Sequence, residues 1–211
     1  MFTEEVWAYY DALVKELREA RGNFTLVENA YHRMRQLTSG YLSFKDPEKA
    51  GHEVVFKDNP KVAALLELVN ELPTERKLLI VTHYVKTGEL LSAALKTAKV
   101  KNLRLYGGTK DKQGTIDKFK KDPSIRALVL NAAAGGVGLN LQVANYVIFF
   151  ESPSDPSMRT QVIKRTQRDG QLRRVFVWDI LVKGSIDMRI YKSVRQGIDL
   201  FKEIIDGSDV I

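Results

Sequence analysis

The sequence predicts an α/β fold, a parallel sheet with helices on both faces, and three observations carry that reading. After Pro73, short apolar runs rich in valine, isoleucine and leucine alternate about five times with stretches whose apolar residues recur at threes and fours. The runs are apolar almost throughout rather than alternating with polar residues, the pattern of strands buried on both faces. The chain also has the material for a core: 211 residues, 44% hydrophobic and 28% charged, enough for one well-filled domain or a domain with a smaller appendage.

Before Pro73 the chain reads as mostly helical. Val6, Tyr10, Leu13, Val14 and Leu17 repeat at helical spacing with Gly22 as a stop, and "FTLVENAYHRMRQL" resumes the pattern to about residue 38. The stretch from Thr38 to Pro60, rich in Gly, Pro, Ser, Asp and Lys, reads as a connector. Asn59 and Pro60 then form an N-cap and first-turn pair for the helix "KVAALLELVNEL".

From there the rhythm is strand and helix in turn. "KLLIVTHY" is a strand and "VKTGELLSAALKTA" a helix with Leu90, Leu91, Ala94 and Leu95 on one stripe. "LRLYGG", "DKQGTIDKFKK" and "IRALVLNA" read as strand, helix and strand, and a glycine-rich turn leads to the strand "YVIFFE". "SDPSMRTQVIKRTQR" reads as a helix and "RRVFVWDILV" as a strand. One long helix closes the chain, with Ile186, Ile190, Val194, Ile198, Phe201 and Ile205 along one face.

Composition narrows the functions. No apolar run nears the ~20 residues of a membrane span, and the acidic N-terminus is not an export signal. The absence of cysteine excludes disulfides, thiol catalysis and cysteine-ligated metals, and fits a cytoplasmic protein. No metal site is read in the chain. A net charge of +7 suits a polyanionic partner, nucleic acid above all, although a basic surface without a partner has the same signature.

In parallel sheets ligands sit beyond the carboxyl ends of the strands, which points to Thr82, His83, the segments 107–110, 131–138 and 151–154, and the polar residues after Val182. The segment "NAAAGGVGLN" is the most conspicuous. As a dinucleotide fingerprint it supplies Gly136 and Gly138 but has Leu141 where the third glycine belongs. As a phosphate loop it fails, because no glycine in the chain precedes a lysine. A turn without a ligand stays open.

Downstream, Gln161, Arg165 and Arg168 are spaced four and three apart, so a continuous helix presents them on one face, with Val162 and Ile163 available to seat it. Adjacent guanidiniums repel unless an anion lies between them, and their planar forks match phosphate oxygens. The same residues, with Lys164, Arg173 and Arg174, are equally a solvated basic patch on spacing alone.

Here a family resemblance enters. "QVIKRTQRDGQ" resembles motif VI of the Swi/Snf-type superfamily 2 DNA translocases, Q-x-x-x-R-x-x-R-x-G-Q. "NAAAGGVGLNLQVANYVIFFE" resembles their motif V, and "LLIVTHYVKTGELL" their motif IV. "LRLYGGTKDKQGTIDKFKKDP" is similar to the strand–loop–helix between motifs IV and V, "HRMRQLTSG" to the segment before this lobe, and "LVKGSIDMRIY" to the ending that leads into a brace helix. The resemblance covers nearly the whole chain in the family's order.

The resemblance implies the second of two RecA-like lobes that close on ATP and Mg2+. Residues 1–58 would be a helical lead-in and connector from the first lobe, 59–184 the lobe itself, and 185–211 the brace. The chain has neither a G-K-[ST] loop nor an Asp-Glu dyad after an apolar strand. The first lobe, in cis or in trans, is therefore expected to hold most of the ATP and the Mg2+, and this chain alone to be inert toward ATP.

By the same resemblance Arg165 and Arg168 are arginine fingers, with Arg168 foremost at the γ-phosphate. Gln161 orders them, and Gly136, Gly138 and Asn140 lie near the nucleotide. Contacts to double-stranded DNA fall to Thr82, His83, Gly108, Thr109, Lys110, Asn131 and Ala132. One departure weakens the DNA contact. The family's motif V usually has Ser-Thr followed by a cation, and here Asn131-Ala132-Ala133 stand instead. The compact spacing between motifs suits a small bacterial or phage translocase acting in the cytoplasm. The other readings are a stand-alone DNA- or protein-binding module that keeps the fold, and a nicotinamide-dependent enzyme, for which no acid–base pair is found.

Overall fold

Leu78 to Thr82 form a strand with no solvent-facing side chain, and the rest of the sheet is arranged around it. The computed structural model of the chain describes residues 2–20, 22–44, 52–134, 139–167 and 173–205. These fall into two compact units, Val62–Ile180 and the pair of segments Met1–Lys61 and Leu181–Ile211.

Numbered in chain order, the elements that build the first unit are α3 (Pro60–Glu71), β3 (Lys77–Thr82), α4 (Val85–Thr97), β4 (Asn102–Leu105), α5 (Lys112–Lys121), β5 (Ala127–Asn131), β6 (Ala144–Phe149), α6 (Pro156–Lys164) and β7 (Phe176–Asp179). The strands lie in the order β4-β5-β3-β6-β7, and every neighbouring pair is parallel. Because side chains alternate across a strand, β3 splits its apolar residues between two cores. Leu79 and Val81 join Ile116 and Phe119 of α5 and Val162 of α6 on one face. Leu78 and Ile80 join Leu65 and Val69 of α3 and Leu91 and Leu95 of α4 on the other. The predicted layering, with helices on both faces, is the one found.

β7 differs from its expectation. It closes the sheet as an edge strand, so Phe176, Val177 and Trp178 stay 37–43% exposed. An edge strand pairs on one side only, and its apolar composition alone does not reveal that.

The second unit is built from α1 (Glu4–Glu19), α2 (Phe24–Thr38), β1 (Tyr41–Phe44), β2 (His52–Val55), α7 (Ile186–Arg195) and α8 (Leu200–Ile205). Thr3 caps α1 and Asn23 caps α2. Val6, Tyr10, Leu13 and Leu17 pack with Val27, Tyr31 and Met34 of α2 and Ile186 and Ile190 of α7 in one apolar core. Two expectations are corrected. The connector holds an antiparallel hairpin, with Tyr41 opposite Val55 and Phe44 opposite His52; at four residues each the strands are too short to announce themselves. The closing helix is two helices, because Gly197 turns into the left-handed region at φ 78 and breaks the run.

Buried polar bonds fasten this unit. Lys61 Nζ lies 2.7 Å from Asp187 Oδ2, with the two side chains only 1% and 9% exposed. The same carboxylate accepts from the Thr38 hydroxyl and the Val182 amide, both at 3.2 Å. The Tyr10 hydroxyl accepts from the Ile186 amide, and burial pushes that phenol well above its ordinary pKa.

A candidate nucleotide and nucleic-acid interface

At the carboxyl edge of the sheet, the ends of β3 and β5 run side by side, with Thr82 paired to Asn131. Thr82 is 1% exposed, and its hydroxyl is buried without a hydrogen-bond partner. It lines a small cavity with Gly88, Arg104, Tyr106 and Asn131. Gly88 of α4 lies over it; a Cβ there would stand 3.6 Å from the Thr82 hydroxyl.

Asn131 is occupied on both sides of its amide. Its Nδ2 donates to the His83 carbonyl at 2.7 Å, and its Oδ1 accepts from the Ala133 amide at 3.1 Å. That second bond starts a 3-10 turn over Ala132–Ala134, in which Ala132 is buried in the core. Here the side chain that stands in place of the family's hydroxyl works as a loop brace.

His83 and Tyr84 stack edge to face with ring centroids 4.8 Å apart. Their backbone amides both donate to Glu151 Oε2, at 2.7 and 3.0 Å. Glu151 Oε1 accepts from the Thr87 hydroxyl at 2.7 Å. The residue at the start of α4, Tyr84, offers no side-chain cap; a carboxylate just past the end of β6 instead caps this end by holding the two amides that lead into α4 and the Thr87 hydroxyl of its first turn, where the helix dipole favours an anion. Glu151 is 4% exposed. Replacing it with alanine leaves three donors without an acceptor and is expected to destabilise the sheet unit by about 2–4 kcal/mol. Glu151→Gln, which keeps one acceptor oxygen, should cost no more than about 1 kcal/mol. Urea denaturation of the two variants checks this, and equal losses would remove the capping role.

Beyond β4, Gly107, Gly108 and Lys110 face solvent. Thr109 is drawn back, its hydroxyl accepting from the Tyr106 amide at 3.0 Å. Thus His83, Gly108, Thr109 and Lys110 reach the surface at this edge, whereas Thr82, Asn131 and Ala132 are buried behind them.

The arginine segment departs from the predicted geometry. α6 ends at Lys164 and Arg165 is its C-cap, so the helix expected to carry Gln161 and both arginines stops at the first of them. Gln161 is exposed and Arg165 is 7% exposed. The Arg165 carbonyl accepts from the Leu141 amide at 3.0 Å, which fastens the arginine segment to the chain just after the glycine turn. Asn140, one residue before, bonds Gln142 through both amide atoms at 3.1 Å. Gly136, Gly138 and Arg168 lie outside the described residues.

One residue that seats α6 was not singled out from the sequence. Arg159 forks onto Asp179, Nη1 to Oδ1 at 2.6 Å and Nη2 to Oδ2 at 2.7 Å. It also donates to the Ser152 hydroxyl at 3.0 Å, and it lies 4.0 Å from the Phe149 ring centroid. Its only advance sign was a place in the arginine-rich run two residues before Gln161. Among the described residues, no group of His, Asp and Glu is placed to hold a metal ion, and no helix is long and apolar enough to cross a membrane.

Comparison with known proteins fits this arrangement. Residues 60–170 match the model of the "Helicase conserved C-terminal domain" family. The chromatin-remodeling ATPase INO80 of Aspergillus oryzae (strain ATCC 42149 / RIB 40) is 33% identical over 153 residues, which cover 71% of this chain and 11% of that protein. INO80 of Neurospora crassa is also 33% identical over 153 residues, covering 8% of its length. The chain thus spans about a tenth of these relatives. Among solved structures, the Sulfolobus solfataricus SWI2/SNF2 ATPase core in complex with dsDNA aligns with TM-score 0.70 at 26% identity, over 99% of this chain and 45% of that one. The C-terminal domain of the same ATPase aligns with TM-score 0.70 at 25% identity, over 99% of this chain and 88% of that one. The C-terminal part of the Fun30 ATPase domain aligns over 64% of this chain and 45% of that one, with TM-score 0.61 and 34% identity.

Proposed function

This chain belongs to the helicase conserved C-terminal domain family, as the C-terminal lobe of a Swi/Snf-type superfamily 2 ATPase, and from that premise we propose that it is the second motor lobe of a double-stranded-DNA-stimulated translocase. It would supply arginine fingers and DNA-backbone contacts, and would hydrolyse ATP only when a first lobe closes on it. The observation that carries this reading is the bond between the Arg165 carbonyl and the Leu141 amide. It holds the segment with the motif VI arginines against the segment that follows the motif V glycines, so the two nucleotide-facing motifs move together.

The chemistry asked of this lobe is electrostatic. ATP, with Mg2+ held mainly by the first lobe, develops charge on its terminal phosphoryl oxygens as the bond breaks. An arginine placed there stabilises that charge and is worth ~10³–10⁵ in rate. Burial at α6's end fixes the Arg165 backbone, and Arg159 locks α6 onto β7, so neither must be ordered at the moment of reaction. On the DNA side, His83, Gly108, Thr109 and Lys110 would touch phosphates without reading bases, as movement along a duplex requires. Asn131 and Thr82 would set the shape of those loops from beneath. Closure of the nucleotide cleft would then shift these loops, and the lobe with them, along the DNA.

The test is ATP hydrolysis, with and without duplex DNA, by this chain alone and with a first lobe encoded upstream, in cis or added in trans. The expected result is an inert chain and DNA-stimulated turnover with both lobes. If the two-lobed protein is also inert, or no first lobe restores turnover, the chain is a binding module that keeps the fold.

A further inference from the structure

At the opposite edge of the sheet, where the strands begin, lies a feature that the motor reading leaves unused. Residues 96–101 and 118–124 contain six lysines (Lys96, Lys99, Lys101, Lys118, Lys120 and Lys121) against one carboxylate, Asp122. The first group is the turn from α4 into β4, the second the end of α5.

Hydrogen bonds bring the two turns together. The Arg126 amide donates to the Lys101 carbonyl at 2.9 Å, and Lys101 Nζ donates to the Ser124 hydroxyl at 2.7 Å. Lys77, at the start of β3, donates to the carbonyls of Asp122 and Ile125 at 2.8 and 2.7 Å. Lys101 thus joins the two turns at one edge of the sheet, with Lys96 and Lys99 at and just past the end of α4 on one face and Lys118, Lys120 and Lys121 at the end of α5 on the other; together they form a lysine patch along that edge. Asp122 offsets one of the six charges; its carboxylate accepts from the Ser124 hydroxyl and amide and pairs with Lys101. Those hydrogen bonds and the Lys101 charge keep its pKa below the usual carboxylate range. Of the six lysines, only Lys101 makes an ion pair among the described residues.

The plain explanation is that lysines at helix C-termini complement the helix dipole, at about 0.3–1 kcal/mol each. It covers Lys96, Lys118, Lys120 and Lys121. It does not cover Lys99, which occupies the left-handed position just past α4 at φ 61. Glycine is the ordinary occupant of that position, and a residue with a Cβ costs roughly 1 kcal/mol there. A charge is kept at a place where the backbone disfavours any side chain.

The patch also limits its partner. Val100, Phe119 and Ile125 beneath it are buried, so it offers charge without an apolar pocket to anchor a peptide side chain. Lysines are compact point charges that follow a line of phosphates without reading sequence. β3 has six residues at ~3.3 Å each, which sets this patch about 17–20 Å from the loops at the other edge. We propose that the lysine patch at the strand-start edge is a second surface for the phosphate backbone of duplex DNA, so that one chain can hold two duplex segments. This does not depend on ATP hydrolysis and holds equally for a binding module.

The experiment mixes the chain, at a concentration where light scattering finds a monomer, with two short duplexes carrying an energy-transfer donor and acceptor. The parent chain should bring them together at low salt. Lys99→Gly/Lys118→Gln/Lys121→Gln should abolish the transfer and lower the salt slope of binding by about 2–3, while keeping one duplex bound. The variant is safe for the fold, since glycine suits the Lys99 backbone and glutamine suits a helix; an unchanged melting temperature confirms it. If the variant still bridges duplexes, or the parent binds one duplex and never two, the patch is not a DNA surface. If polyglutamate displaces DNA from the patch more strongly than a second duplex does, the partner is an acidic chain and the proposal also falls. Lys110→Gln separates the two edges: loss of binding there alone leaves the motor reading standing without the patch, and loss only in the patch variant does the reverse.

Discussion

In a two-lobed enzyme, Arg168→Ala is expected to lower ATP turnover by about 10²-fold or more while DNA binding changes little. The asymmetry is the point of the experiment. A finger acts on charge that exists only in the transition state, so its loss lowers kcat and leaves binding of the ground state nearly intact. Arg168 is a cleaner target than Arg165. Arg165 is 7% exposed and ends α6, so its removal would disturb packing together with chemistry. Turnover that survives Arg168→Ala would sink the finger assignment.

The second large effect is on stability. Asp187→Ala should destabilise the unit formed by the two terminal segments by about 3–5 kcal/mol, because it strands the Lys61 ammonium in a site where that side chain is 1% exposed. The Thr38 hydroxyl and the Val182 amide lose an acceptor in the same step. Taking away both charges, in Lys61→Met/Asp187→Leu, should recover much of the loss, since a buried pair costs desolvation that an apolar pair does not. Denaturant titration measures both. A loss below 1 kcal/mol for Asp187→Ala would mean that the pair is solvated and of little consequence.

How far these features could be read in advance depends on the distance between partners. The five-strand sheet was legible because runs such as "KLLIVT" must be buried on both faces, and residues within one strand settle that. The Asn59 cap on the helix at Pro60 was legible for the same reason; its Oδ1 accepts from the Lys61 amide two residues on. The break in the closing helix was masked, since Val194, Ile198 and Phe201 keep helical spacing across Gly197 and only the glycine gave a sign. Glu151 was visible as a polar residue at a strand end. Its role was not, because the amides it caps lie 67 and 68 residues away. Arg159 sat inside a run read as basic, and its partner Asp179, 20 residues on, inside a run read as a strand. The candidate site residues were named by motif, and what positions the described ones was visible only in three dimensions.

The division of the chain also bears on the order in which it matures. The sheet unit is uninterrupted, residues 62–180, and all its strands have been synthesised before Leu181 is added. The other unit joins α1 and α2 to α7, and the Tyr10 hydroxyl meets the Ile186 amide across 176 residues. Domains fold as units during synthesis, ordinarily the earlier ones first. Here residues 2–61 must wait for residues 181–205, which are made after the whole sheet unit. Until then Val6, Leu13 and Tyr31 lack the apolar faces of Ile186 and Ile190, and the nascent helices α1 and α2 expose an apolar face that a chaperone would have to shield.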